Sequence, residues 1–107
     1  MRSLRQSNRQ YFEAIIQLRP DNNELISFVK NLIGKKEGVY ITNEIHKKYG
    51  SDLYITSRKF ATFLGKKLKK AFKGELITSR TLYSMDRQTS KGIYRVTICF
   101  RMEEPEE

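Results

Sequence analysis

The stretch Thr56–Lys73, TSRKFATFLGKKLKKAFK, decides how the rest of the chain is read. At about 100° per residue an α-helix sorts it into two opposed faces. Phe60, Ala61, Leu64, Leu68, Ala71 and Phe72 gather on one side, wide enough to dock on a core. Arg58, Lys59, Thr62, Lys66, Lys69, Lys70 and Lys73 gather on the other, with Phe63 and Lys67 at the borders. No acid falls within the stretch, so the helix lacks the opposite-sign i,i+4 pairs that steady an ordinary solvated helix. That pattern predicts a helix laid against a polyanion, with nucleic acid the first candidate.

The 107 residues are enough for one domain with a modest core. Lys and Arg number 21 against 12 Asp and Glu, a formal charge of +9. Four of those acids crowd into the last five residues, so the remainder is more basic still, and residues 103–107 read as a disordered acidic tail. Charge of this size speaks of partners and solubility rather than of fold. No apolar run is long enough to span a bilayer, and MRSLRQSNRQ lacks the apolar segment of a secretory signal, so no membrane is expected. A single cysteine, Cys99, rules out an internal disulfide and fits a reducing, intracellular compartment, cytoplasm, nucleoid or nucleus. Cys99 is expected as a small buried residue of a strand.

Upstream, residues 1–20 read as a basic arm followed by a short helix capped by Ser7. Its apolar side is Tyr11, Phe12, Ile15, Ile16 and Leu18, and Arg19-Pro20 ends it. Asp21 with Glu24 forms an acidic capping box for a helix over 22–33, in which Leu25, Phe28, Val29, Leu32 and Ile33 follow the helical period and Gly34 closes. Val39-Tyr40-Ile41 is a short edge strand. Thr42 caps a helix over 43–49, with Ile41, Ile45 and Tyr49 on one side and Gly50 at its end. Ser51 to Ile55 is a connection. Beyond Gly74 the period becomes two: Leu76–Met85 and Ile93–Met102 are strands of a β-hairpin whose tip, 86–92, is polar and basic.

Helix, short strand, helix, basic helix and hairpin, in that order, resemble a winged helix-turn-helix domain. The expectation is an α+β fold over 21–102, a three-helix core with a short strand and a C-terminal β-hairpin wing, plus the extra N-terminal helix. Ser57-Arg58-Lys59-Phe60…Leu64 and Gly92-Ile93-Tyr94-Arg95 are also similar to stretches of the winged domains that end viral and plasmid primase–helicases. The resemblance implies double-stranded DNA as partner, in transcription or replication, with the basic helix in the major groove. Thr56, Ser57, Arg58, Lys59 and Thr62 would face base edges, Arg58 pairing with a guanine. Lys66, Lys69, Lys70, Lys73, Arg87 and Lys91 would meet phosphates, and the helix N-terminus would favour another. Tyr11, Phe12, Ile15 and Ile16 offer a homodimer surface.

Two other classes fit the same residues. One is a winged-helix protein–protein module using the apolar side of Tyr11–Leu18; the other is RNA binding, since a lysine-rich helix also suits an A-form backbone. Catalysis finds no support: the acids are scattered, no glycine-rich phosphate loop exists, and no nucleophile set can be nominated. His46 stands alone, expected beside Lys47 and Lys48 on a helix, so no metal set or cofactor is expected.

Overall fold

A computed structural model describes residues 12–86, 88 and 91–103, without the side chains of residues 83–86, 91 and 93. The chain order is β1 (Ala14–Arg19), α1 (Asn23–Lys35), β2 (Ile41–Lys47), β3 (Gly50–Ile55), α2 (Arg58–Ala71), β4 (Gly74–Asp86) and β5 (Lys91–Met102). The five strands form one mixed sheet in the order β2-β3-β1-β5-β4. β1 runs antiparallel to β3 and parallel to β5, and the β2–β3 and β4–β5 pairs are antiparallel. β3 therefore lies between β1 and β2 in the first β-α-β unit, and β1 with β5 lies between β3 and β4 in the second.

This is not a winged helix: a five-stranded sheet replaces the expected three-helix core. The difference arises in the first half of the chain. Ala14, Ile16 and Leu18 are fully buried and alternate with half-exposed Ile15, Gln17 and Arg19, so residues 14–19 of the expected N-terminal helix are the central strand, and its start at Ser7 lies outside the described residues. Tyr11, Phe12, Ile15 and Ile16 happen to mimic a helical period, but pairing on both sides of β1 wins over that local pattern. The expected helix over 43–49 is edge strand β2, and the 51–55 connection is β3. Ile41 and Ile45 sit four apart, which suits a helix, yet Ile45 faces Asp52 across the ladder. Thr42 caps no helix; its hydroxyl donates to the Tyr54 carbonyl at 3.4 Å. Of the expected strand Val39–Ile41 only Ile41 belongs to one.

The remaining elements form near their predicted places. α1 is capped by Asn22 rather than Asp21: the Asn22 side chain accepts the Glu24 and Leu25 N–H groups at 2.7 and 3.2 Å. Gly34 lies inside this helix instead of closing it. Ser57 caps α2, its Oγ accepting the Phe60 N–H at 3.1 Å. The hairpin β4–β5 is present, with a register shift between Leu82 and Ser84.

Both helices bury their apolar sides in one cluster with a single face of the sheet. Leu25, Ile26, Val29 and Ile33 of α1 and Ala61, Leu64 and Leu68 of α2 meet Ile16, Leu18, Leu53, Ile55, Ile98 and Phe100. Each fully buried Leu or Ile contributes roughly 1.5–3 kcal/mol. Phe28 and Phe72 pack edge to face at 5.3 Å and join α1 to the end of α2. Ile16 is part of this core with no exposure, so it cannot serve the expected dimer surface. The opposite face carries Ile15, Gln17, Tyr54, Thr97 and half-exposed Cys99, and no helix of the described residues covers it.

Candidate nucleic-acid interface

α2 owes its two-sided character to its position on the sheet. Ala61, Leu64, Gly65 and Leu68 are buried at helical spacing, and an added Cβ on Gly65 would stand 3.2 Å from Ile98 and 3.3 Å from Leu76. The helix thus lies close on β5 and β4, with its long axis presented to the outside. Along that outward side Lys59, Thr62, Lys66, Lys67, Lys69 and Lys70 are exposed, continued by Lys73 after the helix ends.

The lysines differ in what they touch. Lys69 Nζ donates to the Gly74 carbonyl at 2.7 Å, and Lys67 Nζ stands 5.5 Å from the Phe63 ring centre. Lys59, Lys66, Lys70 and Lys73 have no acidic or hydrogen-bonded partner among the described residues. Lys59, Lys66 and Lys70 follow i, i+7, i+11 spacing and so form one line about 16 Å long at 1.5 Å per residue. Three ammonium groups on one side of the helix, with no acid among the described residues to neutralise them, make a line of concentrated positive charge.

Of the residues expected to read bases, Lys59 is exposed and belongs to the lysine line, whereas the other four are less available. Ser57 is spent on the cap, and Thr56 Oγ1 accepts the Tyr40 N–H at 3.1 Å. Thr62 bonds back to the Arg58 carbonyl. Arg58 stands 3.8 Å from Glu13, whose carboxylate also accepts the Arg58 backbone N–H at 3.0 Å. The helix N-terminus expected to favour a phosphate therefore already holds a carboxylate. Of the expected wing contacts, Arg87 lies outside the described residues. Lys91 opens β5, but its side chain also falls outside the description, as do Tyr11 and the tail 104–107.

His46 lies on β2, not a helix. Its Nδ1 stands 2.8 Å from Ser51 Oγ and its Nε2 2.6 Å from Glu44 Oε2, while the Ser51 hydroxyl donates to Asp21 at 2.8 Å. Lys30 pairs with the same Glu44 at 2.8 Å. Ser51 is fully buried and its proton is engaged, so this row is a tie between β2, β3 and α1 rather than a nucleophile with its base. The hydrogen bond from Lys30, opposed by burial and reinforced by His46, holds the Glu44 carboxyl below its ordinary range. Among the described residues no group of three or more His, Cys, Asp or Glu side chains could hold a metal, and no helix is long and apolar enough to cross a membrane.

The model of one family, described as NMD3, second domain, matches residues 11–102. The chain belongs to that family. The match spans both β-α-β units and the terminal hairpin, the region read from sequence as arm and winged helix. Together the family and the sheet-rich fold overturn the winged helix-turn-helix assignment and the transcription reading that went with it, and they remove that resemblance as a ground for DNA binding in replication. No curated protein matches the chain.

Proposed function

We propose that the domain binds the backbone of structured, double-stranded RNA through the solvent side of α2. The observation that carries this reading is the unneutralised line Lys59, Lys66 and Lys70, extended by Lys73, on a helix without a single acid. A major-groove reader needs a helix that protrudes and leads with its N-terminal side chains. Here the helix is laid flat on a sheet and its first turn is tied to Glu13 and to its own cap. Such a surface favours shape and phosphate recognition across the wide, shallow groove of an A-form duplex over base reading. Affinity comes from charge and shape, so sequence preference is weak.

Fluorescence anisotropy with a labelled RNA duplex at physiological salt tests the proposal. Lys66→Glu with Lys70→Glu should abolish binding while leaving the circular-dichroism spectrum unchanged. Duplex DNA of the same sequence, run in parallel, should bind more weakly. Undiminished RNA binding by the doubly reversed protein would place the contact elsewhere.

A further inference from the structure

At the end of the sheet where β1 and β5 finish, a cleft of about 900 Å³ opens between Arg19, Tyr49, Gly74, Glu75, Arg101 and Glu103. Its size falls in the range of small-ligand sites. Arg19, Arg101 and Glu75 are direct neighbours across three strands, since Arg19 pairs with Arg101 and Arg101 with Glu75 in the ladders. The Arg19 guanidinium is occupied: its Nη1 donates to the Leu18 and Ser51 carbonyls and to Asp52. Arg101, Glu75 and Glu103 have no side-chain partner among the described residues. Tyr49 is 60% exposed, with Arg19 5.2 Å and Lys47 5.8 Å from its ring centre, so a base stacking there takes the place of one of these cations.

Two carboxylates in a strongly basic protein make this cleft a poor place for a phosphate and a good one for N–H donors. The free guanidinium beside them asks for acceptors, and the exposed ring for a flat partner. One nucleobase answers all three. Guanine presents N1–H and N2–H₂ donors to a carboxylate, O6 and N7 acceptors to a guanidinium, and a face for stacking. The cleft also adjoins the basic helix: Lys69 bonds the Gly74 carbonyl, and the Glu103 N–H donates to the Lys73 carbonyl at 2.8 Å. A strand whose phosphates follow α2 arrives at this mouth.

We infer that the cleft receives an unpaired guanine of the bound RNA, stacked on Tyr49, with Glu75 and Arg101 reading its edge. The inference rests on the RNA reading above for the rest of the ligand. Anisotropy with blunt duplexes and with duplexes carrying one overhanging guanosine or uridine tests it. The guanosine overhang should tighten binding about tenfold more than the uridine overhang, the scale of one bidentate edge contact, since stacking alone serves either base. Tyr49→Ala and, separately, Glu75→Gln should erase that gain and leave blunt-duplex affinity unchanged. A gain equal for both overhangs, or one that survives Tyr49→Ala, overturns the assignment. A second arm needs no duplex: guanosine monophosphate should shift the amide resonances of Tyr49 and Glu75 in the wild-type protein. Such shifts with no duplex binding would keep the cleft and sink the helix reading, whereas duplex binding without shifts or overhang gain would do the reverse.

Discussion

Glu13 at the entry to β1 holds the start of α2, accepting the Arg58 backbone N–H at 3.0 Å and standing 3.8 Å from its guanidinium. The two residues are 45 apart in sequence. One carboxylate thus fixes where the basic helix begins and takes the anion position at its N-terminus. Glu13→Gln should cost roughly 0.5–1 kcal/mol of stability through the weakened helix-end interaction. It should also raise affinity for an RNA duplex a few-fold by releasing Arg58. Urea denaturation and anisotropy on the same preparation check both, and unchanged affinity would show that Arg58 faces no phosphate.

The Lys30–Glu44–His46 row predicts a pH dependence. Glu44 is held below its ordinary value of 4.5, chiefly by the hydrogen bond from Lys30. A carboxyl whose folded-state value is lowered stabilises the protein above its ordinary value, and that contribution is lost as pH falls through the lowered one. Wild type should therefore exceed Glu44→Gln in urea midpoint at pH 6, and the two curves should converge as the pH drops below 4.5. A gap that persists undiminished at pH 3 would remove Glu44 as its source.

Adjacent residues of β1 should respond very differently to truncation. Ile16 is fully buried between β3 and β5, whereas Ile15 lies on the uncovered face. Ile16→Ala should cost about 2–5 kcal/mol, and Ile15→Ala distinctly less. Equal losses in thermal denaturation would speak against the strand alternation and for a helix.

Gly65 sets how closely α2 lies on the sheet. Its neighbours Ile98 and Leu76 leave an added Cβ only 3.2 and 3.3 Å. Gly65→Val, with further atoms beyond that Cβ, should destabilise by about 1–3 kcal/mol through overpacking. A melting temperature at or above wild type would mean the helix can lift without penalty.

The two helices and the terminal hairpin were legible in the sequence, and the strands β1, β2 and β3 were not. Both long helices and the hairpin announce themselves through strong local periods: Leu25, Val29 and Ile33 for one helix, Leu64 and Leu68 for the other, Tyr94, Val96, Ile98 and Phe100 for the last strand. The β1 stretch carries Ile15 next to Ile16, which blurs an alternation that only the sheet reveals. Its pairing with β5 joins residues about eighty apart, such as Ile16 and Ile98, and no local window holds that information. β2 is an edge strand with Asn43, Glu44, His46 and Lys47, polar enough to pass for an exposed helix.

The site divides in the same way. The lysine line needs only helical geometry, so Lys66 and Lys70 could be named from sequence. Glu13 at the helix start and the Tyr49–Glu75–Arg101 cleft could not, because each is assembled from segments brought together by the sheet.

The salt dependence of RNA-duplex binding tests the central claim most directly. Each phosphate contact contributes a little under one to the log–log slope against salt concentration. Replacing Lys59, Lys66 and Lys70 together by alanine should therefore make the slope shallower by about two to three, with affinity reduced for every duplex sequence alike. A triple variant that binds more weakly yet keeps the wild-type slope, or that binds as wild type does, would show that the lysine line on α2 is not the surface that meets RNA.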